Sequence, residues 1–140
     1  MKQIPVIFWT GTGNTQMMAD VIAAAINAAG AEAVVKNVSE ITADEAAGYD
    51  ALALGCPAMG AEVLEECEFE PFFTELEGKL SGKKVALFGS YGWGGSYMQD
   101  WEARVKDAGA ELVAAGVLAL GAADDEAEAK LAEAGKLLAE

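Results

Sequence analysis

The chain has 140 residues, the size of one domain, and 53% of them are apolar, which excludes a disordered tail protein. Nine basic residues against 23 acidic ones give a net charge of −14, a field that repels nucleic acid and anionic membrane and attracts basic partners. There is no histidine, and the two cysteines, Cys56 and Cys67, make neither a zinc site nor a disulfide framework, while hydrolytic chemistry loses its commonest general base.

In chain order, Ile4 to Trp9 reads as a buried strand, with Pro5 expected at its start because a proline in a central strand removes a ladder donor. Thr10 to Thr15 is a glycine-rich turn. Met17, Met18, Val21, Ile22, Ala25 and Ile26 then recur with helical spacing up to Gly30, a natural stop. Ala33-Val34-Val35 is a second strand and Ala43 to Ala47 a short helix. Ala51 to Leu54 is a third strand that ends in Gly55-Cys56-Pro57. An acidic loop precedes a helix over Glu70 to Leu76. Val85 to Phe88 is a fourth strand, followed by a loop from Gly89 to Tyr97 and a helix over Met98 to Asp107. Leu112 to Leu120 contains a fifth strand interrupted at Gly116, and Ala127 to Leu138 is a final helix.

Five alternations of strand and helix, with short continuous apolar strands, predict one α/β domain: a five-stranded doubly wound parallel sheet of order 2-1-3-4-5 with helices on both faces. Glycine and acidic residues interrupt every apolar stretch well short of the ~20 residues that span a bilayer. The segment from Met1 to Pro5 runs straight into a strand, without the apolar core and cleavage site of a signal peptide, so the expected compartment is the cytoplasm. The expected state is a monomer. In such a sheet ligands bind beyond the carboxyl ends of the strands, at the switch between strands 1 and 3. Three loops meet there.

The first loop, Thr10-Gly11-Thr12-Gly13-Asn14-Thr15, lets the backbone curl its N–H groups inward at the start of a helix and adds hydroxyl and amide donors. It is a phosphate cradle without a cation. A nucleotide-hydrolysing P-loop needs a lysine, and none lies between Lys2 and Lys36. A dinucleotide loop needs a small residue where Gln16 stands, and a phospho-receiver needs acids at the ends of strands 1 and 3. A single terminal phosphate held by neutral donors remains.

In the second loop, Cys56-Pro57-Ala58-Met59-Gly60-Ala61-Glu62, a methionine at the tip suits a flat apolar surface, Gly60 permits unusual backbone angles, and Glu62 can accept from a ring N–H. In the third, Ser90, Tyr91, Gly92 and Trp93 open a run of glycines and aromatics in which Trp93 reads as a stacking platform, and the loop has no room to pack all its aromatics inward. A phosphate cradle, a flat apolar wall and an aromatic wall describe a planar ring joined to a monophosphate. Flavin mononucleotide (FMN) is the simplest such ligand.

Four motifs, Trp9 to Thr15, Gly55 to Gly60, Glu68 to Phe73 and Leu87 to Gly94, together make the chain similar to the short-chain flavodoxins along its whole length. The resemblance implies a flavodoxin-like fold, FMN as cofactor, and one-electron shuttling between reductases and low-potential acceptors, with no small substrate of its own. It implies that Thr10, Thr12, Asn14 and Thr15 hold the phosphate and that Met59 and Trp93 sandwich the ring. Glu62 would accept from the ring N3–H, with backbone groups near Gly60 and Gly92 at the ring's edges. Ala61 stands where similar flavodoxins often carry Asp or Gly, and Gly121-Ala122 replaces polar residues often found after strand 5. Basic redox proteins are the expected partners, meeting an acidic surface of Glu62, Glu65, Glu66, Glu68 and Glu70. The alternatives are an FMN-dependent quinone-type reductase and a non-redox module for a phosphorylated ligand.

Overall fold

The computed structural model of the chain describes residues 2–9, 13–57, 68–91, 96–120 and 124–140. In order, these form β1 (Gln3–Phe8), α1 (Asn14–Ala28), β2 (Glu32–Asn37), a 3-10 turn (Val38–Glu40), α2 (Ala43–Ala47), β3 (Ala51–Gly55), α3 (Phe69–Glu77), β4 (Lys84–Tyr91), α4 (Ser96–Asp107), β5 (Glu111–Leu112), β6 (Val117–Leu120) and α5 (Asp125–Ala139). Every pairing is parallel. The order is β2-β1-β3-β4-β5, and β6 pairs with β4 further along the edge that β5 begins. This is the doubly wound sheet the sequence predicts.

Alternation along the strands sends side chains to two cores. Ile4, Val6 and Phe8 join Met18, Ile22 and Ile26 of α1 and Leu131 and Leu138 of α5 on one face. Ile7, Leu52 and Leu54 join Phe69, Phe73 and Leu76 of α3 and Trp101 and Val105 of α4 on the other. On α1 the buried stripe is Thr15, Met18, Ala19, Ile22, Ala23 and Ile26, so Met17 is left 56% exposed. Local chemistry sets the helix starts: Thr42 accepts from Glu45 N at 3.1 Å in a capping box, and Asp124 accepts from Ala127 N at 2.8 Å.

Three expectations need correction. Pro5 lies inside β1, paired with Val34 of β2, and not at its start. Trp9 N donates to Gly55 O on β3 at 3.0 Å, so alternation puts the missing Pro5 donor on the β3 side, one residue before that pairing begins at Val6↔Ala53. The fifth strand is two strands. Val85 pairs with Leu112 and Phe88 with Val117, so Ala86 and Leu87 face the longer run 113–116, which bulges out of the ladder where Gly116 N donates to Glu102 Oε2 of α4 at 2.7 Å. Finally, β4 continues through Gly89, Ser90 and Tyr91, which the sequence reading assigns to a loop, because Gly89, Ser90 and Tyr91 pair with Leu118, Ala119 and Leu120.

Candidate functional site

The order of strands reverses between β1 and β3, and the carboxyl ends of both strands open on the same edge, with Phe8 beside Gly55. There α1 begins on Gly13, whose φ of 95° and ψ of −11° lie in the left-handed region that glycine enters without a Cβ clash. No acidic residue stands in the first turn of α1, although the chain holds 23 of them and the first turns of α2, α3 and α5 all carry some. The positive end of the α1 dipole therefore meets no carboxylate of its own first turn.

Thr15 and Ser90 are the buried polar residues among the described ones, 1% and 6% exposed. Thr15 sits in the first turn of α1, and Ser90 reaches it from the extended end of β4. Their hydroxyls lie 3.2 Å apart. Two hydroxyls carry two donor hydrogens and the bond between them uses one, which leaves a second for another acceptor at the helix N-terminus.

On the other face, Tyr97 is 2% exposed and its hydroxyl donates to the Cys56 carbonyl at 2.7 Å. Burial, with a smaller contribution from nearby Cys56, pushes this phenol far above its usual range, so it stays protonated and remains a donor. Its ring stacks on Trp101 at 6.5 Å, and Phe69 and Phe73 pack edge-on against the same indole. Gly89 makes this approach possible. A Cβ there would overlap both Cys56 O and Tyr97 Oη and stand 3.0 Å from the Cys56 carbonyl carbon. Of the aromatics that the sequence reading places in the third loop, Tyr97 is thus a core residue of α4 that fixes the end of β3.

The flavodoxin family model matches residues 6–135. The chain is 49% identical over 135 residues to a flavodoxin of Clostridium beijerinckii, covering 96% of this chain and 97% of that one. It is 47% identical over 116 residues to a flavodoxin of Megasphaera elsdenii, covering 82% and 85%.

The chain belongs to the flavodoxin family.

The solution structure of two-electron reduced Megasphaera elsdenii flavodoxin matches it with a TM-score of 0.89 at 44% identity, over 97% of this chain and 98% of that one. As a flavodoxin the chain is an FMN-binding electron carrier, and the residues at the switch point fit that cofactor. A helix N-terminus opened by a left-handed glycine, with a spare buried hydroxyl hydrogen and no first-turn acid, suits the terminal phosphate.

Of the sequence-predicted residues, Gly13, Asn14 and Thr15 stand at the start of α1, Pro57 follows Cys56 at the end of β3, and Ser90 and Tyr91 close β4. The strand order thus brings all three segments to one edge of the sheet. Thr10, Gly11, Thr12, Ala58, Met59, Gly60, Ala61, Glu62, Gly92, Trp93 and Gly121-Ala122 lie outside the described residues.

The expected acidic surface is partly committed elsewhere. Arg104 of α4 donates to Glu70 at 2.8 and 2.9 Å and to Glu77 at 3.1 Å, and lies 4.7 Å over the Phe73 ring. Thr74 adds a hydrogen bond to Glu70 at 2.7 Å. Glu70 therefore clamps α3 to α4, and its charge is partly compensated by a guanidinium that it shares with Glu77. Sequence reasoning misses this clamp, the Thr15–Ser90 pair and the Tyr97–Cys56 bond alike, because each joins residues far apart in the chain with no local pattern to mark them. Among the described residues, no helix is long and apolar enough to cross a membrane.

Proposed function

We propose that the chain holds FMN at the β1–β3 switch point and serves as a monomeric, low-potential one-electron carrier between basic redox proteins of the cytoplasm. In this reading Thr10, Gly11, Thr12, Gly13, Asn14 and Thr15 hold the phosphate, Met59 and Trp93 cover the two faces of the ring, and Glu62 accepts from its N3–H. The observation that carries it is the start of α1, where the Gly13 turn and the Thr15–Ser90 pair present neutral donors at the positive end of a helix.

When bound, FMN supplies one-electron chemistry. The chain's part is to orient the ring by its phosphate, keep water from its faces and tune its potentials by binding each redox state with a different strength. A net charge of −14 makes added negative charge on the ring costly, which lowers the potential of the second electron. The same charge draws basic partners in before contact.

Titration of the apoprotein with FMN and riboflavin tests the placement. FMN should bind far more tightly, since riboflavin has no phosphate for the cradle. Equal affinities would remove the cradle from the reading.

A further inference from the structure

The residue just before the first cofactor loop is joined by a side-chain hydrogen bond to Glu68, six residues beyond the end of the second. Trp9 follows β1 and directly precedes Thr10. Glu68 directly follows the segment 58–67 and is the residue from which α3 starts. Trp9 Nε1–H donates to Glu68 Oε1 at 3.2 Å across 59 positions of chain.

Both residues are placed for this bond. The Trp9 backbone N–H is held by Gly55 O at 3.0 Å, and its half-buried ring packs against the core on the α3–α4 side. The indole is thus fixed by strand and core, and its N–H has a defined direction. Glu68 occupies the N-cap of α3, a position where Ser, Thr, Asp or Asn would normally bond back to the helix. Its side chain makes no capping hydrogen bond. The carboxylate instead accepts from the far side of the switch point, while its charge still lies at the favourable end of the α3 dipole. Glu70, two residues further on, pairs with Arg104 and fastens α3 to α4, so α3 is a fixed post on which such a bond can pull.

We propose that Trp9 and Glu68 are positioning residues for FMN: their hydrogen bond sets the distance between the end of β1, where the phosphate loop begins, and the start of α3. Neither is among the residues proposed to touch the cofactor. They act by holding the two anchor points at the spacing that lets one ligand fill both sites at once, so that less ordering is needed on binding. This inference rests on the placement of FMN proposed above.

The test compares FMN dissociation constants of apoproteins carrying Trp9→Phe, Glu68→Ala, Glu68→Gln, the Trp9→Phe/Glu68→Ala pair, and Thr12→Ala as a control for the cradle. Trp9→Phe keeps an aromatic ring against the core and removes the donor. It and Glu68→Ala should each weaken FMN about three- to tenfold, the range for one ordinary hydrogen bond, because water at this exposed site offsets the extra strength of the carboxylate acceptor. The double variant should be no weaker than either single one, since both remove the same bond. Glu68→Gln keeps an acceptor oxygen and should bind within about twofold of the parent. That rescue separates the bond from a general loss of charge or stability, and the Glu68 variants leave the Trp9 packing untouched should Trp9→Phe fold poorly. Additive losses in the double variant, a Gln variant as weak as the Ala variant, or unchanged affinity in all while Thr12→Ala binds poorly would each overturn the proposal. Unchanged affinity in every variant, Thr12→Ala included, would overturn the placement of FMN on which it stands.

Discussion

Adding one methyl group at Gly89 should cost the protein much of its stability and loosen its hold on FMN. The new Cβ would overlap the Cys56 carbonyl oxygen, which is backbone, and the Tyr97 hydroxyl, which is pinned to that oxygen at 2.7 Å. Neither can swing away cheaply, because Cys56 N is tied to Phe88 O at 3.1 Å and the Tyr97 ring is stacked on Trp101. Overpacking of this kind costs ~1–3 kcal/mol. Forcing the buried Tyr97–Cys56 bond apart adds about 1–2 kcal/mol for polar groups left without partners. A total of about 3 kcal/mol is a large part of the ~5–15 kcal/mol that holds a domain together, and corresponds to a drop of about 10 °C in Tm. Urea unfolding of the apoprotein is the measurement, since bound cofactor would add its own linkage to the result. Tyr97→Phe should cost only about 1–2 kcal/mol. Because it also removes one of the two atoms that the new methyl strikes, the double variant should be more stable than the sum of the singles predicts. A Gly89→Ala protein within ~0.5 kcal/mol of the parent would refute the close approach of β4 to the end of β3 and the role given to Tyr97.

Thr15→Val should weaken FMN about tenfold and leave riboflavin binding unchanged, because the spare hydroxyl hydrogen faces a phosphate that riboflavin lacks; Ser90→Ala should act through the same pair and cost about 1 kcal/mol of stability as well. Equal losses for FMN and riboflavin would show that the pair serves packing alone. Arg104 beside Glu70 holds that carboxyl below its usual value of 4.5, against an opposing effect of burial. The folded-state pKa is thus the lower one, so this contribution to stability is full above about pH 4.5 and is lost as pH falls through the depressed value. Urea midpoints of Arg104→Met measured down a pH series should fall less steeply in acid than those of the parent, and parallel curves would remove the clamp as a source of acid sensitivity. Electron exchange with a basic partner should slow as salt rises, since ~0.1 M salt screens the −14 field within about 10 Å. Rates that stay flat across a salt series would leave the charge with solubility as its only role.

The sequence by itself determined the order of elements, the parallel doubly wound sheet and the edge to which its three loop segments are brought. These follow from signals that act over a few residues: apolar runs bounded by glycine, helical spacing of Met18, Ile22 and Ile26, and the turn chemistry of Gly11 and Gly13. Where two neighbouring choices were locally equal, tertiary pairing chose. Ser90 and Tyr91 look like loop beside Gly92, yet β6 lies alongside and draws them into β4. Pro5 looks misplaced within a strand, yet the strand has no β3 partner at that point. Tyr97 looks like a surface aromatic among glycines, yet Gly89 lets it reach the Cys56 carbonyl. The long-range side-chain bonds, Thr15 to Ser90, Trp9 to Glu68 and Arg104 to Glu70, connect residues that only the folded sheet makes neighbours. Local periodicity carries no information about which distant side chain will stand opposite. That is decided by how the two helical layers pack on the sheet, and only the tertiary structure records it.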